Sequence, residues 1–218
     1  DIHSNRKKGP CIIYITAPFQ DSTAKEIYEQ LSDIQDFIFC ELMVEDWDNL
    51  LTPWAAEDCL KGRNFGGHGN HLLADIEKTL VPLLRLQYPD IQEIYLAGYS
   101  LAGLFSMWVL YETDCFDGAV CCSGSLWYPG WMEYINQHKI NKTSKIYLSL
   151  GKKEEKTKHP VMKSVGDSTR LQYEILRQNK LTKNVILEWN EGGHFGNTVQ
   201  RVSDGISWIL QSQSDGRK

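Results

Sequence analysis

Short runs of consecutive apolar residues alternate along this chain with longer stretches whose apolar positions recur every three or four residues. Residues 11–15 (CIIYI) and 37–44 (FIFCELMV) show the first pattern, as do 94–97, 118–122, 146–150 and 185–189. Such runs suit strands buried on both faces. The second pattern covers 22–31, 70–88, 101–111, 168–178 and 199–210 and predicts helices there. In the first of these, Ile27 and Leu31 share a face and Ser22 or Thr23 serves as the cap. In 70–88, Leu72, Leu73, Ile76, Leu80, Leu83 and Leu84 fall at helical spacing. Pro82 should kink that helix, because its ring collides with the preceding turn and it has no N–H. Residues 45–67 have no period and carry Trp47, Pro53 and Trp54, which predicts a long loop.

Strand and helix alternate from one end to the other. The expected architecture is α/β, a mainly parallel sheet with helices on both faces. No repeat, low-complexity tract or linker interrupts the 218 residues, so 1–218 reads as a single domain whose polar ends, 1–9 and 211–218, fray. In sheets of this kind ligands bind at the carboxyl ends of strands, and that is where the candidate chemistry lies.

The strongest candidate is Gly98-Tyr99-Ser100-Leu101-Ala102-Gly103, between a strand and a helix. It approximates the G-x-S-x-G elbow of α/β-hydrolases, with Ala102 where the second glycine is usual. A turn that holds a nucleophile in a strained conformation needs small flanking residues, and Gly98 and Ala102 are small. Ser100 is the expected nucleophile, and the Leu101 amide, at a helix N-terminus, is an expected oxyanion donor. Among six histidines only His194 directly follows the last strand, in the turn Glu191-Gly192-Gly193-His194. Chain order makes it the base. The acid should follow the preceding strand, where Glu154 and Glu155 are both within reach. Glu154 is favoured, with Glu155 or a Ser–His dyad left open. A second oxyanion amide should come from Thr16-Ala17-Pro18-Phe19. Pro18 has no N–H, so the donor is Ala17 or Phe19.

The remaining composition narrows the partner. A formal charge of −5 argues against nucleic acid and against anionic membranes. No apolar run approaches the roughly 18 residues that span a bilayer. Of the six cysteines, Cys11, Cys40, Cys121 and Cys122 sit in strand-like runs and read as reduced core thiols, which suits a cytoplasmic protein. No CxxC pair suggests zinc, so no metal is expected. A small molecule is the expected partner, with a homodimer left open. Seven tryptophans are many for this length. Trp54, Trp127 and Trp131 lie in loops at the catalytic end and are candidate substrate-stacking residues. Arg63, Lys156 and Lys158 offer charge to an anionic ligand such as a catecholate.

Taken together, AGYSLAGLF (97–105), SGSLWYPGW (123–131), SLGKKEEKT (149–157), HPVM (159–162), GGHF (192–195), LTPW (51–54) and FGGHG (65–69) resemble the Putative esterase family of the α/β-hydrolases, its enterochelin esterase-like and esterase D-like members. The resemblance runs from about residue 9 to 210. It implies an α/β-hydrolase fold with minimal or no lid, and ester hydrolysis without metal or organic cofactor. It carries the nucleophile onto Ser100, the acid onto Glu154 and the base onto His194. Relatives commonly have a His-Gly or Ser-Gly pair after the early strand, where this chain has Thr16-Ala17-Pro18. The leading expectation is a serine esterase acting through an acyl-enzyme on a small, aromatic, sugar or siderophore-type ester. An acyltransferase with the same triad and a non-catalytic binding protein on the same fold are the alternatives. With no lid domain in the sequence, the site should be shallow and open.

Overall fold

The computed structural model describes residues 1–2, 8–18, 20, 22–34 and 36–211, with only the backbone of Asp58. Strand β1 (Cys11–Thr16), helix α1 (Thr23–Gln30) and strand β2 (Ile38–Met43) come first. A short helix α2 (Trp47–Leu50) and an antiparallel hairpin of β3 (Ala56–Leu60) and β4 (Arg63–Phe65) follow. Helices α3 (Gly69–Asp75) and α4 (Val81–Gln87) are joined by a π-helical turn, Ile76–Leu80. Next are β5 (Ile94–Tyr99), α5 (Leu101–Glu112), β6 (Gly118–Cys122) and α6 (Trp131–Gln137). The chain continues through β7 (Ser144–Gly151), α7 (Val165–Gln178), β8 (Thr182–Asn190) and α8 (Thr198–Gln211).

Six of these strands form one parallel sheet in the order β2-β1-β5-β6-β7-β8. Because successive side chains on a strand point to opposite faces, the sheet separates two apolar layers. On β1, Ile12 and Tyr14 face a layer closed by α1 and α8, with Ile27, Val202 and Ile206. Cys11, Ile13 and Ile15 face the larger layer, which takes side chains from α3, α4, α5, α6 and α7. Helix α5 is buried along almost its whole length, from Leu101 to Tyr111. That explains why its sequence is apolar on every side rather than along a stripe. It lies against β5 and β6, so the turn that begins it is held from beneath by the core.

The expected α/β architecture with its parallel sheet is present, and the structure adds local detail to it. Segment 45–67 is not a plain loop. It folds into α2 and the β3–β4 hairpin, whose strands are too short and too polar to show a period. Pro82 does interrupt the helix over 70–88. The interruption takes the form of the π-helical turn just before it, which widens the backbone where the ring would meet a carbonyl. Helix α6 was hidden by Pro129-Gly130, although Trp131, Tyr134 and Ile135 have helical spacing. The N-terminal stretch, expected to fray, is tied at two points, by bridges from Ile2 to Cys40 and from Lys8 to Asp90. Of the C-terminal stretch, 212–218 lie outside the described residues. All six cysteines are free thiols, and Cys59 and Cys115 are only partly buried.

Leu104 on α5 is fully buried beneath the Ser100 turn. Leu104→Ala should lower the unfolding free energy by about 2–5 kcal/mol, the range for a large-to-small change in a packed core. In urea denaturation the midpoint should fall with little change in slope. A loss under 1 kcal/mol would mean that α5 is not packed as described.

Candidate active site

Strand β5 ends at Tyr99 and α5 begins at Leu101, so Ser100 is the single residue of the turn. Its backbone is at φ 62° and ψ −121°, a region that costs a non-glycine residue roughly 1–3 kcal/mol. The turn closes because its neighbours are small. A Cβ on Gly98 would stand 2.3 Å from the Ala102 carbonyl carbon. Ser100 N donates to the Cys122 carbonyl at 3.2 Å, and its own carbonyl accepts from Leu104 N and Ser125 N. The Leu101 amide is at the first helical position, where the residue four back lies in a strand and no intrahelical acceptor exists.

The three residues expected to act together do meet. His194 Nε2 is 3.1 Å from Ser100 Oγ, and His194 Nδ1 is 2.8 Å from Glu154 Oε2. Glu154 begins a 3₁₀ turn after β7 and is buried, and His194 follows β8. Glu155 is turned away and pairs with Arg170 at 2.7 Å. Burial alone pushes the Glu154 carboxyl up. Hydrogen bonds from His194, from Ser123 and from the Gly151 amide outweigh it, so the pKa lies below the usual carboxylate value. Glu154 is thus an anion, and an anion on Nδ1 leaves Nε2 free to take a proton from the Ser100 hydroxyl.

Two serines and one arginine, none of them singled out by the sequence, complete the arrangement. Ser125 Oγ lies 3.3 Å from Ser100 Oγ. Ser123 donates to Glu154 Oε1 at 2.7 Å. Arg201 reaches in from α8 and is only 2% exposed. One guanidinium nitrogen donates to Tyr99 Oη at 3.0 Å, to Ser123 Oγ at 2.9 Å and to Glu154 Oε1 at 3.3 Å. The other donates to the carbonyls of Glu191 and Gly193 at 2.9 and 3.1 Å. The Tyr99 hydroxyl in turn donates to the His194 carbonyl at 2.5 Å. The turn bearing His194 is therefore bound to the turn bearing Glu154 through one side chain. A polar helix position looks like surface in a sequence, and an Arg on the apolar face of 199–210 was the available signal.

Ser100 opens into a cavity of about 600 Å³ walled by α2, the β3–β4 hairpin and the His194 turn. Trp127 lines it, as does Trp47. Trp54 and Trp131, expected to stack on substrate, do not line it. Trp131 is fully buried in the core, and Trp54 stacks on it at 6.4 Å while donating Nε1–H to the Pro129 carbonyl at 2.7 Å. Both rings fasten loops to the body instead. Of the expected oxyanion donors, Ala17 N is already hydrogen-bonded to Gln20 Oε1 at 2.9 Å, so that amide is not free. Phe19 lies outside the described residues. The three expected anion contacts do not assemble either: Arg63 lines the cavity but pairs with Asp48, and Lys156 and Lys158 do not line it. In place of a separate lid, residues 45–67 form one wall. The mouth stays open, with Phe195 94% exposed beside it.

A sequence model of the family described as Putative esterase matches residues 15–193. The chain belongs to that family. The matched span holds Ser100 and Glu154 and stops just before His194. An uncharacterized Bacillus subtilis protein, YbbA, is 29% identical over 168 residues, which is 72% of this chain and 67% of YbbA. Among solved structures, the siderophore hydrolase EstA from Aspergillus nidulans superposes with a TM-score of 0.74 at 15% identity, covering 94% of this chain and 84% of EstA. An IroE-like serine hydrolase from Shewanella oneidensis gives a TM-score of 0.75 at 17% identity, covering 94% and 71%. The fold is the α/β-hydrolase fold. Among the described residues of this esterase-family chain, no helix is long and apolar enough to cross a membrane. Among the described residues no group of His, Cys, Asp and Glu side chains is placed to hold a metal ion.

Glu154→Gln keeps the shape of the acid and removes its charge, leaving Arg201 without its buried counter-ion. Because the native pKa is depressed, the carboxylate adds stability that is fully present above its ordinary value of 4.5 and is lost as pH falls through the lower native value. The variant should therefore be less stable than wild type by about 3–5 kcal/mol at neutral pH. The gap should narrow as pH drops below the ordinary carboxylate range. Urea denaturation at several pH values checks this, and a gap that does not change with pH would contradict an ionised Glu154.

Proposed function

We propose that this chain is a serine carboxylic-ester hydrolase that works through an acyl-enzyme. The observation that carries the reading is the hydrogen-bonded line from Ser100 Oγ to His194 Nε2 and from His194 Nδ1 to Glu154, at 3.1 and 2.8 Å. In the proposed reaction His194 Nε2 removes the Ser100 proton as Oγ attacks the ester carbonyl. Glu154 stabilises the imidazolium and fixes its orientation. The tetrahedral oxyanion takes the Leu101 N–H. The Ala17 N–H is the proposed second donor, once the oxyanion displaces the Gln20 amide oxygen that now occupies it. His194 returns the proton to the leaving alcohol, then removes one from water as its oxygen bonds to the acyl carbon, and passes that proton to Ser100 Oγ as the C–Oγ bond breaks and the acid is released.

Membership of the esterase family and a fold shared with solved serine hydrolases support the same reading. Relatives named as siderophore hydrolases, and an S-formylglutathione hydrolase on the same fold, support an ester or thioester as the bond broken. Trp47 and Trp127 give the cavity flat apolar walls suited to a ring or a branched chain.

Hydrolysis of p-nitrophenyl acetate and butyrate near pH 7.5, wild type against Ser100→Ala, tests the proposal. The wild type should turn both over. The variant should fall at least about a thousandfold, as expected when a nucleophile that acts with its base is removed. An inactive wild type, or a variant with the wild-type rate, would reject the assignment.

A further inference from the structure

The cavity over Ser100 is unevenly charged. Its wall from residues 45–67 presents three carboxylates, Glu45, Asp46 and Asp48, and one cation, Arg63. Arg63 is committed to Asp48, with Nε donating at 2.9 Å and a second nitrogen completing the bidentate pair. Asp46 accepts from the neutral side chain of Asn49 at 2.8 and 3.1 Å. Among the described residues no cation stands against Glu45 or Asp46, so the wall keeps an excess of negative charge. The rings of Trp47, Phe65 and Trp127 border the same space, and Phe65 already has a guanidinium 5.4 Å from its centre. An adjoining compartment of about 290 Å³ shares Trp127 and His194 with the first. Its charged members, Lys153 and Glu154, are of opposite sign. The negative excess is therefore confined to the larger compartment.

Glu45 and Asp46 are solvent-exposed where they border the cavity, and carboxylates placed there beside aromatic faces attract ammonium groups and repel anions. We infer that the ester this site turns over carries a positive charge, an ammonium or amine on one of its halves, seated against Glu45 and Asp46. Poly-anionic catecholate esters are disfavoured by the same wall. The inference rests on the hydrolase reading of Ser100 and adds the chemical class of its substrate.

Isosteric ester pairs test it on the full chain. The p-nitrophenyl ester of a trimethylammonio-butanoic acid and its uncharged tert-butyl isostere place the charge on the acyl half. Acetylthiocholine and its uncharged isostere, S-(3,3-dimethylbutyl) thioacetate, place it on the leaving half. In at least one pair kcat/KM should be higher for the cationic member by roughly three- to tenfold at low salt. The preference should shrink with added sodium chloride. In the double variant Glu45→Gln, Asp46→Asn the ratio should fall towards one. If both pairs show no cationic preference, or the double variant leaves the ratio unmoved, this inference is overturned while Ser100-dependent hydrolysis of the uncharged esters still stands. If no ester is hydrolysed, or hydrolysis survives Ser100→Ala, the hydrolase reading fails and takes the inference with it.

Discussion

Arginine does not give up its proton inside a protein, so a guanidinium sealed from water has to be surrounded by acceptors and a counter-charge. Arg201 is in that position, and the groups that accept from its two terminal nitrogens come from the ends of four neighbouring strands. Tyr99 closes β5, Ser123 follows β6, Glu154 follows β7, and Glu191 and Gly193 follow β8. Helix α8 supplies the cation from beneath. The sheet puts those strand ends side by side, but it does not by itself fix loops to within an ångström. One buried charge with five acceptors does. The proposed acid and base therefore keep their spacing because moving either would strip an acceptor from Arg201.

Much of this was legible in the sequence, and the parts that were not have physical reasons. Buried parallel strands write themselves as apolar runs because both faces are covered. Ser100 could be found because a strained turn restricts its neighbours to small residues, and Gly98 and Ala102 are chemical evidence of that. His194 followed from its place after the last strand. Glu154 and Glu155 are adjacent and of one type, so only the three-dimensional path of the 3₁₀ turn, which sends Glu155 to Arg170, separates them. Arg201 was easy to pass over for a related reason: a charged residue reads as surface unless its counter-ion, 47 residues away, is already known. The tryptophans mislead in the opposite sense. Trp54 sits in a loop and Trp131 at the start of α6, yet a large ring is as useful for pinning a loop as for stacking on a ligand, and composition does not distinguish the two.

The 45–67 segment shows how a wall can be built without an inserted domain. Helix α2 and the β3–β4 hairpin are each too small to be stable alone. They are held by Thr52, whose hydroxyl donates to the Asp48 carbonyl and accepts from Gly67 N, and by the Arg63–Asp48 pair on the side that lines the cavity. The charges that decorate the cavity are thus also part of what closes its wall.

The order in which the chain is laid down has a consequence for when chemistry becomes available. Ser100 lies near the middle of the sequence, and its imidazole partner is 94 residues further on. Bringing such distant groups together carries a loop-closure entropy, and all-parallel pairing offers no local hairpin to lower it stepwise. A ribosome-bound chain that has completed β5 and α5 lacks the Cys122 and Ser125 groups that hold the Ser100 turn, and it has neither carboxylate nor imidazole to act on it. The proposed chemistry is in this sense a late property of folding, complete only when β7, β8 and α8 have docked.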